Sequence, residues 1–422
     1  MTSPSPADPT AAKDLAERAA PKPGWFNRTV AGAGLTSALG DLCYETTTVI
    51  LPSFLAVLGL PAVVLGVIEG TADAIASFTK MAAGYIADKF GHRKALVLVG
   101  YGLTPVGQAL IALAAGWPLV LLGRLVSWFG KGLRGPLRDA IIVQAISPDA
   151  RGRAFGFHRT MDTLGAIAGP LLGVALLGWA QTLAGKDTAE PFRLVFWLTM
   201  APGLLAVLAF LFLVKDPKRS PNPALRFFAT LRDLPARFKR YLGAVGVFGL
   251  GDFSHSLLIL AATQLLAPTM GIVRAAQIAG LLYVWRNVVQ ALALYPIGAR
   301  ADRYGQRSVL IFGYAVGALT AGLVALAFAL DVDRIAILAA VFFGAGLYVA
   351  VQEALEPTVT AEMVDAYILA TSYGALGVVN GAAKFISSSA IGLLWTAVSP
   401  TFGFGVAAFL MAAGTLVLVK AR

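Results

Sequence analysis

Long apolar stretches separated by short polar turns recur along almost the whole chain. A stretch of roughly 20 residues or more is long enough to cross a bilayer as a helix, and the pattern predicts about twelve such spans. The apolar runs are continuous rather than alternating, which disfavours a β-barrel. The pattern therefore predicts an all-α membrane protein. The predicted spans are 28–58, 62–88, 94–115, 117–145, 152–182, 190–215, 239–268, 273–300, 307–330, 333–362, 367–398 and 401–420.

Two polar segments interrupt this pattern and set the predicted domain bounds. Residues 1–24 are rich in Ala and Pro and contain no apolar stretch, so we expect a cytoplasmic tail rather than a cleaved signal. Residues 216–238 are basic and contain prolines, which predicts a cytoplasmic linker. The predicted domains on either side are an N-terminal six-helix bundle over 25–215 and a C-terminal six-helix bundle over 239–422.

Composition and charge narrow the class further. Hydrophobic residues make up 57% of the chain and charged residues 14%, against about 25% charged in a soluble domain. The mean hydropathy of +0.74 requires a bilayer as the solvent. The net charge of +11 is concentrated in the linker and in turns on one predicted side of the membrane. This is the positive-inside distribution, which places both termini in the cytoplasm and argues against a nucleic-acid partner. Cys43 is the only cysteine, which excludes an internal disulfide.

One motif occurs twice. The segment GYIADKFGHRK begins at Gly84 and returns as GARADRYGQRS from Gly298, an offset of 214 positions. At the same offset, Arg138-Asp139 aligns with Gln352-Glu353. Because an even number of spans per repeat keeps both repeats in one orientation, this is a parallel repeat, with a substrate site expected at the interface near the membrane midplane.

The repeated motif resembles the loop between helices two and three of the major facilitator superfamily. The resemblance implies twelve transmembrane helices in two parallel-repeat six-helix bundles and transport of a small molecule. It also implies a latch in which Asp88 closes the cytoplasmic side, and Arg138 is our candidate partner for it. The residues that it assigns to gating at the two copies are Gly84, Asp88, Arg93, Asp302 and Arg307.

A second motif narrows the subclass. Gly165-x-x-x-Gly169-Pro170-x-x-Gly173 resembles the antiporter motif of proton-coupled exporters in this superfamily, which assigns these residues to gating. The alternative is a close-packing seam of small residues. One feature departs from the drug exporters, because Arg124 is followed four residues later by Trp128 rather than by glycine.

Ionisable residues inside predicted spans indicate function, since each costs about 2.5–3.5 kcal/mol on insertion scales. Asp41 and Glu45 share a face of span one, and burial favours the neutral form of a carboxyl, so both are candidate proton carriers. Arg124 is assigned to proton coupling with them. The alternative is that the two acids form structural ion pairs with Arg124 or another cation.

The remaining intramembrane charges fall into two predicted sets. Glu69 and Asp73 either bind cargo or share the proton. The predicted substrate-binding residues are Glu69, Asp73, Asp252, His255, Arg286 and Lys384. The second set predicts a gating ion-pair network on the cytoplasmic side, with binding of an anionic cargo as the alternative. It contains Lys131, Arg134, Arg138, Asp139, Arg159 and Asp162.

These features predict a transporter rather than an enzyme. There is no Walker motif, so we expect proton coupling rather than ATP, no cofactor, and a monomer in a bacterial-type cytoplasmic (inner) membrane. The leading hypothesis is proton-coupled export of small organic molecules or drugs. The alternatives are uptake of a polar metabolite or chelate, a receptor with a transporter fold, and export of a transition-metal ion. A metal site would use Asp41, Glu45, Asp252 and His255, because Cys43 lies on another face of its helix.

Overall fold

The computed structural model describes residues 26–90, 93–146, 151–184, 188–215, 234–364 and 369–420. Thirteen α-helices and no strand occur within these residues. The predicted tail over 1–24 and most of the predicted linker lie outside the described residues. The helices are α1 (Arg28–Val57), α2 (Ala62–Phe90), α3 (Arg93–Ala112), α4 (Trp117–Gln144), α5 (Arg151–Ala184), α6 (Glu190–Leu213), α7 (Ala236–Gly249), α8 (His255–Met270), α9 (Ile272–Tyr304), α10 (Gln306–Ala329), α11 (Ile335–Met363), α12 (Leu369–Ala397) and α13 (Pro400–Lys420).

The prediction of an all-helical membrane protein is confirmed. Eight of these helices are long and apolar enough to cross a membrane. The long helices α1, α4 and α9 are not among the eight, and each carries ionisable residues within its length. Charged side chains in a membrane protein face its interior rather than lipid. The candidate site is therefore expected where these three polar helices meet.

One predicted span is two helices. The span predicted over 239–268 is divided into α7, which ends at Gly249, and α8, which begins at His255. Gly249 and Gly251 weaken helix formation here, and the Ser254 side chain caps the new helix by accepting a hydrogen bond from the Ser256 N–H. This break, residues 250–254, places Asp252 inside the protein, between the C-terminus of α7 and the N-terminus of α8.

Most helix contacts lie within the N-terminal set α1–α6 or within the C-terminal set α7–α13. Among the N-terminal helices, α1 packs against α5 and α6, and α4 packs against α2 and α3. Among the C-terminal helices, α10 packs against α11 and α13, and α9 against α8 and α11. Two seams join these sets, one between α2 and α12 and one between α5 and α9. The candidate site lies between the seams, since α1 also contacts α8 and α9.

The seam between α2 and α12 is tight at one end of the molecule. A Cβ added to Gly66 would overlap the Ser388 carbonyl oxygen, so only glycine permits this approach. The Val63 N–H donates to Thr396 Oγ1 at 3.0 Å at the same end. This end carries the turn between α1 and α2 and is closed.

Candidate functional site

Asp41 and Glu45 lie against the glycine motif of α5. The two carboxylates are 7% and 8% exposed. A Cβ at Gly165 would lie 2.8 Å from the Asp41 Cβ, and one at Gly169 would lie 2.8 Å from the Glu45 Cβ. The glycines therefore form a close-packing seam, and the residues that they pack against are the two predicted proton carriers. The alternative interpretation of this motif, as a packing seam, describes the contacts observed.

Glu45 forms a hydrogen bond that crosses from the N-terminal to the C-terminal helices. The Tyr283 hydroxyl on α9 donates to Glu45 Oε2 at 3.0 Å. The Tyr283 ring stacks on His255 with 5.1 Å between ring centroids and 13° between planes. His255 is the first residue of α8. Two side chains, Tyr283 and His255, therefore connect Glu45 to the break between α7 and α8.

A buried ion pair occupies the centre of the N-terminal helices. Arg124 Nε donates to Glu69 Oε1 at 2.9 Å, and Arg124 Nη2 donates to Glu69 Oε2 at 3.0 Å. Both side chains are almost fully buried, at 0% and 1% exposure. The Thr48 hydroxyl accepts from both terminal nitrogens of the guanidinium at 3.1 Å. Arg124 is predicted to take part in proton coupling and Glu69 to bind cargo or share the proton, and the structure pairs these two side chains directly.

Trp128 supplies part of this centre. The guanidinium carbon of Arg124 lies 3.5 Å from the centroid of the Trp128 ring. The indole N–H of Trp128 donates to Asp73 Oδ1 at 3.0 Å. The tryptophan that replaces the glycine of the drug exporters thus stacks on the arginine and binds a second acid. Lys131, one turn along the chain, lies 4.1 Å from the centroid of the Tyr44 ring.

The break between α7 and α8 meets this centre. The Ser254 hydroxyl donates to Glu69 Oε2 at 3.4 Å, and the Ser254 N–H donates to Ser388 Oγ on α12 at 3.0 Å. Asp252 is 6% exposed. Its two oxygens accept from the Tyr348 hydroxyl at 3.1 Å and from the Gln352 amide at 3.3 Å. The predicted cargo residues Glu69, Asp252 and His255 are therefore gathered around one break.

Arg286 and Lys384 complete the predicted cargo set. Arg286 Nη1 donates to Asn287 Oδ1 at 2.8 Å. Asn287 Nδ2 donates to the Ala166 carbonyl of α5 at 3.0 Å. Lys384 lies half-buried on α12, four residues after Asn380. Arg286 therefore contacts the residue that joins α9 to α5, and it also faces the interior of the protein.

The predicted gating network has a buried part and an exposed part. Arg138 Nη1 donates to the Ser37 hydroxyl at 2.6 Å, and Ser37 also bonds His158 Nε2 at 2.9 Å. Arg138 also pairs with Asp139 at 3.2 Å. Arg159 and Asp162 form the exposed part, separated by 3.7 Å with Arg159 67% exposed. The buried part ties α1 to α4 and α5.

The aromatic ring of Tyr101 joins this network. Its hydroxyl accepts from Arg138 Nη1 at 3.2 Å. The Arg134 guanidinium carbon lies 4.5 Å from the Tyr101 ring centroid, and Arg134 Nη1 donates to Thr104 Oγ1 at 2.6 Å. Arg134 is 3% exposed. These contacts hold Arg134 and Arg138 within the N-terminal helices.

The repeated motif is described only in part. Gly84 lies within α2. The side chains of Asp88 and Asp302 are not among those described, so the latch between Asp88 and Arg138 stays a prediction. Arg93 is buried, at 4% exposure. In the second copy, Arg307 donates to the Leu418 carbonyl of α13. Gly305 ends α9 with φ +87. Glycine adopts this left-handed backbone conformation readily, which accounts for the glycine at this position of the motif.

Several site residues were not singled out from the sequence. Asn287 is uncharged and lies in a helical stretch with no distinguishing pattern. Its partner Ala166 is 121 positions away, so nothing in the local sequence marks the contact. Ser254 and Thr48 are hydroxyl residues, which occur throughout the spans. The signal that was available is Pro170, because a proline inside a helix leaves the carbonyl four residues earlier without a helical partner.

The metal alternative rests on Asp41, Glu45, Asp252 and His255. Within the described residues, no group of three or more His, Cys, Asp or Glu side chains is placed to hold a metal ion. Cys43 faces α6, since a Cβ at Gly203 would lie 2.9 Å from its Sγ. Cys43 and Asp41 therefore face different helices.

Comparison with known proteins places this site within a family. The model of the Major Facilitator Superfamily matches residues 32–273. An uncharacterized MFS-type transporter of Methanocaldococcus jannaschii is 28% identical over 377 residues, which cover 88% of this chain and 89% of that protein. The multidrug resistance protein MdtH of Shigella boydii is 33% identical over 137 residues, which cover 32% of this chain and 34% of that protein.

Solved structures share the fold. A variant of the nucleoside transporter NupG has a TM-score of 0.76 at 16% identity and covers 93% of this chain and 99% of that chain. A complex of the peptide transporter POT with sulfate also has a TM-score of 0.76 at 16% identity, with 97% of both chains covered. At this identity the likeness concerns the fold alone.

Proposed function

Because this chain belongs to the Major Facilitator Superfamily of membrane transporters, we propose that it exports small organic molecules in exchange for protons by alternating access. It is a transporter rather than an enzyme. In this proposal the chain crosses the membrane twelve times, in two parallel six-helix bundles, with α7 and α8 forming one span. Both termini lie on the cytoplasmic side of a bacterial-type inner membrane. The distant likeness to MdtH over part of the chain supports drug-like cargo.

The observation that carries the proposal is the bond from Tyr283 to Glu45. It joins α9 to α1 at 3.0 Å, between the two parts that must move relative to each other. A proton on Glu45 removes its charge and so weakens this bond, because hydrogen bonds to ionised acceptors are the stronger ones. Neutralisation of one carboxylate thus shifts the population of the two states.

The asymmetry of the structure supports alternating access. The end that carries the α1–α2 turn is closed by the α2–α12 seam. At the other end, charged side chains of Lys80, Arg159 and Glu353 are exposed. A charged side chain in a membrane protein requires water or a partner. Under the proposed topology this end faces water on the cytoplasmic side, and the protein is in an inward-open state.

The chemistry of the candidate site favours a polar cargo. Acids and bases occur together in this region. Glu69 contacts the break through Ser254, Trp128 binds Asp73 and lies beside Lys131, and α12 carries Lys384. A cargo that carries both an ammonium group and an anionic group would find partners of both signs. This observation also supports the second candidate function, proton-driven uptake of a polar metabolite.

The experiment uses the purified protein in vesicles that contain a pH-sensitive dye. Three solutes are added in turn: ethidium as a cationic drug, an unmodified dipeptide as a zwitterion and uridine as a nucleoside. We expect at least one solute to change the internal pH with the wild-type protein and none to do so with Glu45→Gln. The sign of the pH change separates exchange from uptake.

The matched control is Glu353→Gln, an exposed carboxyl on α11. This variant should retain the solute-dependent pH change. An unaltered response in Glu45→Gln would contradict the coupling role, and a wild-type protein that moves a solute without any pH change would contradict proton coupling altogether.

A further inference from the structure

A buried carboxyl lies outside the pathway described above. Glu356 on α11 is 3% exposed. The Tyr314 hydroxyl on α10 bonds Glu356 Oε1 at 2.6 Å, and Asn380 Nδ2 on α12 donates to Oε2 at 2.7 Å. The Tyr241 hydroxyl on α7 donates to the Glu356 backbone carbonyl at 3.2 Å. Four helices therefore meet at this one residue.

The partners of Glu356 are uncharged. None of the salt bridges among the described residues includes this carboxylate. A buried carboxylate without a cation carries a large desolvation cost, and protonation removes that cost. Two neutral donors therefore suit a carboxyl that is protonated during part of a cycle better than they suit a permanent anion.

The contact with Tyr314 fits both protonation states. A phenolic hydroxyl is both a donor and an acceptor. It donates to the carboxylate when Glu356 is ionised, and its oxygen accepts from the carboxylic acid when Glu356 is protonated. The same 2.6 Å contact thus survives the gain or loss of a proton.

Glu356 continues a polar face of α11. Tyr348 and Gln352 precede it at intervals of four residues, and both donate to Asp252 in the break. This face therefore connects two carboxyls, Asp252 at the break and Glu356 near the C-terminal end of α11. The ionisable groups on the elements around Glu356 include Tyr241 of α7, Asp252 of the break, Arg286 of α9, Tyr314 of α10, Glu353 of α11 and Lys384 of α12.

We propose that Glu356 is a second proton-binding site, which takes up a proton from water and returns it to water as the C-terminal helices change state. This inference rests on the proposed proton-coupled function and adds a site separate from Glu45. Proton uptake converts the carboxylate to the acid and reverses the hydrogen bond with Tyr314. Asn380 belongs to α12, which packs on α2, so this site lies beside a helix of the α2–α12 seam.

The test is infrared titration of the purified full-length protein, which detects the carbonyl stretch of protonated carboxyl groups directly. In the wild type we expect a carboxylic acid band that disappears as the pH rises. Because Glu45 also binds a proton in this scheme, Glu356→Gln should lose only the component of this band that comes from Glu356. Tyr314→Phe should keep it at a shifted frequency, because the hydroxyl partner is gone. Glu353→Gln, the control one turn away, should keep it unshifted.

Identical carboxyl bands in the wild type and in Glu356→Gln would overturn the inference. If Glu356→Gln does not fold, Tyr314→Phe decides alone, and an unshifted band there contradicts the assignment. The vesicle assay with Glu45→Gln tests the proposed function separately. A failure of that assay leaves the infrared band in place, whereas a missing band with transport intact refutes only the Glu356 site.

Discussion

Asn287 on α9 donates its side-chain amide to the backbone carbonyl of Ala166 on α5 at 3.0 Å. Pro170 lies four residues after Ala166 and has no N–H, so this carbonyl lacks its helical partner. Arg286 orients the amide by donating to Asn287 Oδ1 at 2.8 Å. A proline in the N-terminal helices therefore leaves a carbonyl free to accept one of the hydrogen bonds between the N-terminal and C-terminal helices.

We predict that Asn287→Ala opens the closed end of the protein. The change removes a buried donor and leaves the Ala166 carbonyl unpaired, at a cost of about 1–3 kcal/mol to the closed contact. The measurement is the yield of a short thiol cross-link between Val63→Cys and Thr396→Cys, positions whose N–H and hydroxyl are bonded at 3.0 Å. The yield should fall in Asn287→Ala.

The control for this change is Gln290→Ala on the same helix. The Gln290 amide donates to Glu353 on α11, a contact within the C-terminal helices. Its loss should leave the cross-linking yield unchanged. Equal yields in Asn287→Ala and the unmutated pair would show that the contact with Ala166 does not hold the closed state.

The pair of Arg124 and Glu69 should behave as one unit in stability. Removal of one partner leaves a buried charge without its counterion, which costs about 3–5 kcal/mol. Arg124→Ala and Glu69→Ala should each lower the melting temperature of the purified protein strongly. The double variant should lose less than the sum of the two. Additive losses would mean that the two residues do not interact.

The element pattern could be predicted from sequence because hydropathy fixes where a helix lies in a membrane. The span predicted over 333–362 is observed as Ile335–Met363. The break between Gly249 and His255 was missed, since glycine and polar residues are tolerated in membrane helices when neighbouring groups satisfy the backbone. Whether Asp252 and Ser254 find such partners depends on α11 and α12, which sequence periodicity does not reveal.

The charges of the site could also be predicted, but their pairing could not. Helical spacing places Asp41 and Glu45 on one face. It does not tell whether Arg124 pairs with them or with Glu69, since the two chain segments are separated by 55 positions in the pair that forms. The contact between Tyr283 and Glu45 has no local sequence signal, because the two residues lie 238 positions apart.

Gly169→Ala should separate α1 from α5. The added Cβ would lie 2.8 Å from the Glu45 Cβ, closer than real Cβ atoms approach. Overpacking of this kind costs about 1–3 kcal/mol, so the melting temperature should fall and proton-coupled transport should decline. Gly102→Ala on α3 is the matched control, because nothing lies within 4 Å of its added Cβ. Equal melting temperatures in the two variants would contradict close packing at the motif.

The closed end should respond to pH through Glu45. Acidification protonates this carboxylate and weakens its bond with Tyr283, so the cross-linking yield between Val63→Cys and Thr396→Cys should fall as the pH is lowered. Glu45→Gln is permanently neutral, so its yield should be low and should change with pH only as far as the reactivity of the thiols does. This variant therefore supplies the baseline for the pH dependence. Glu353→Gln should keep the pH dependence, because this exposed carboxyl bonds Gln290 rather than an N-terminal helix. A pH dependence that persists in Glu45→Gln would assign the proton response to another carboxyl, and its loss in Glu356→Gln would identify which one.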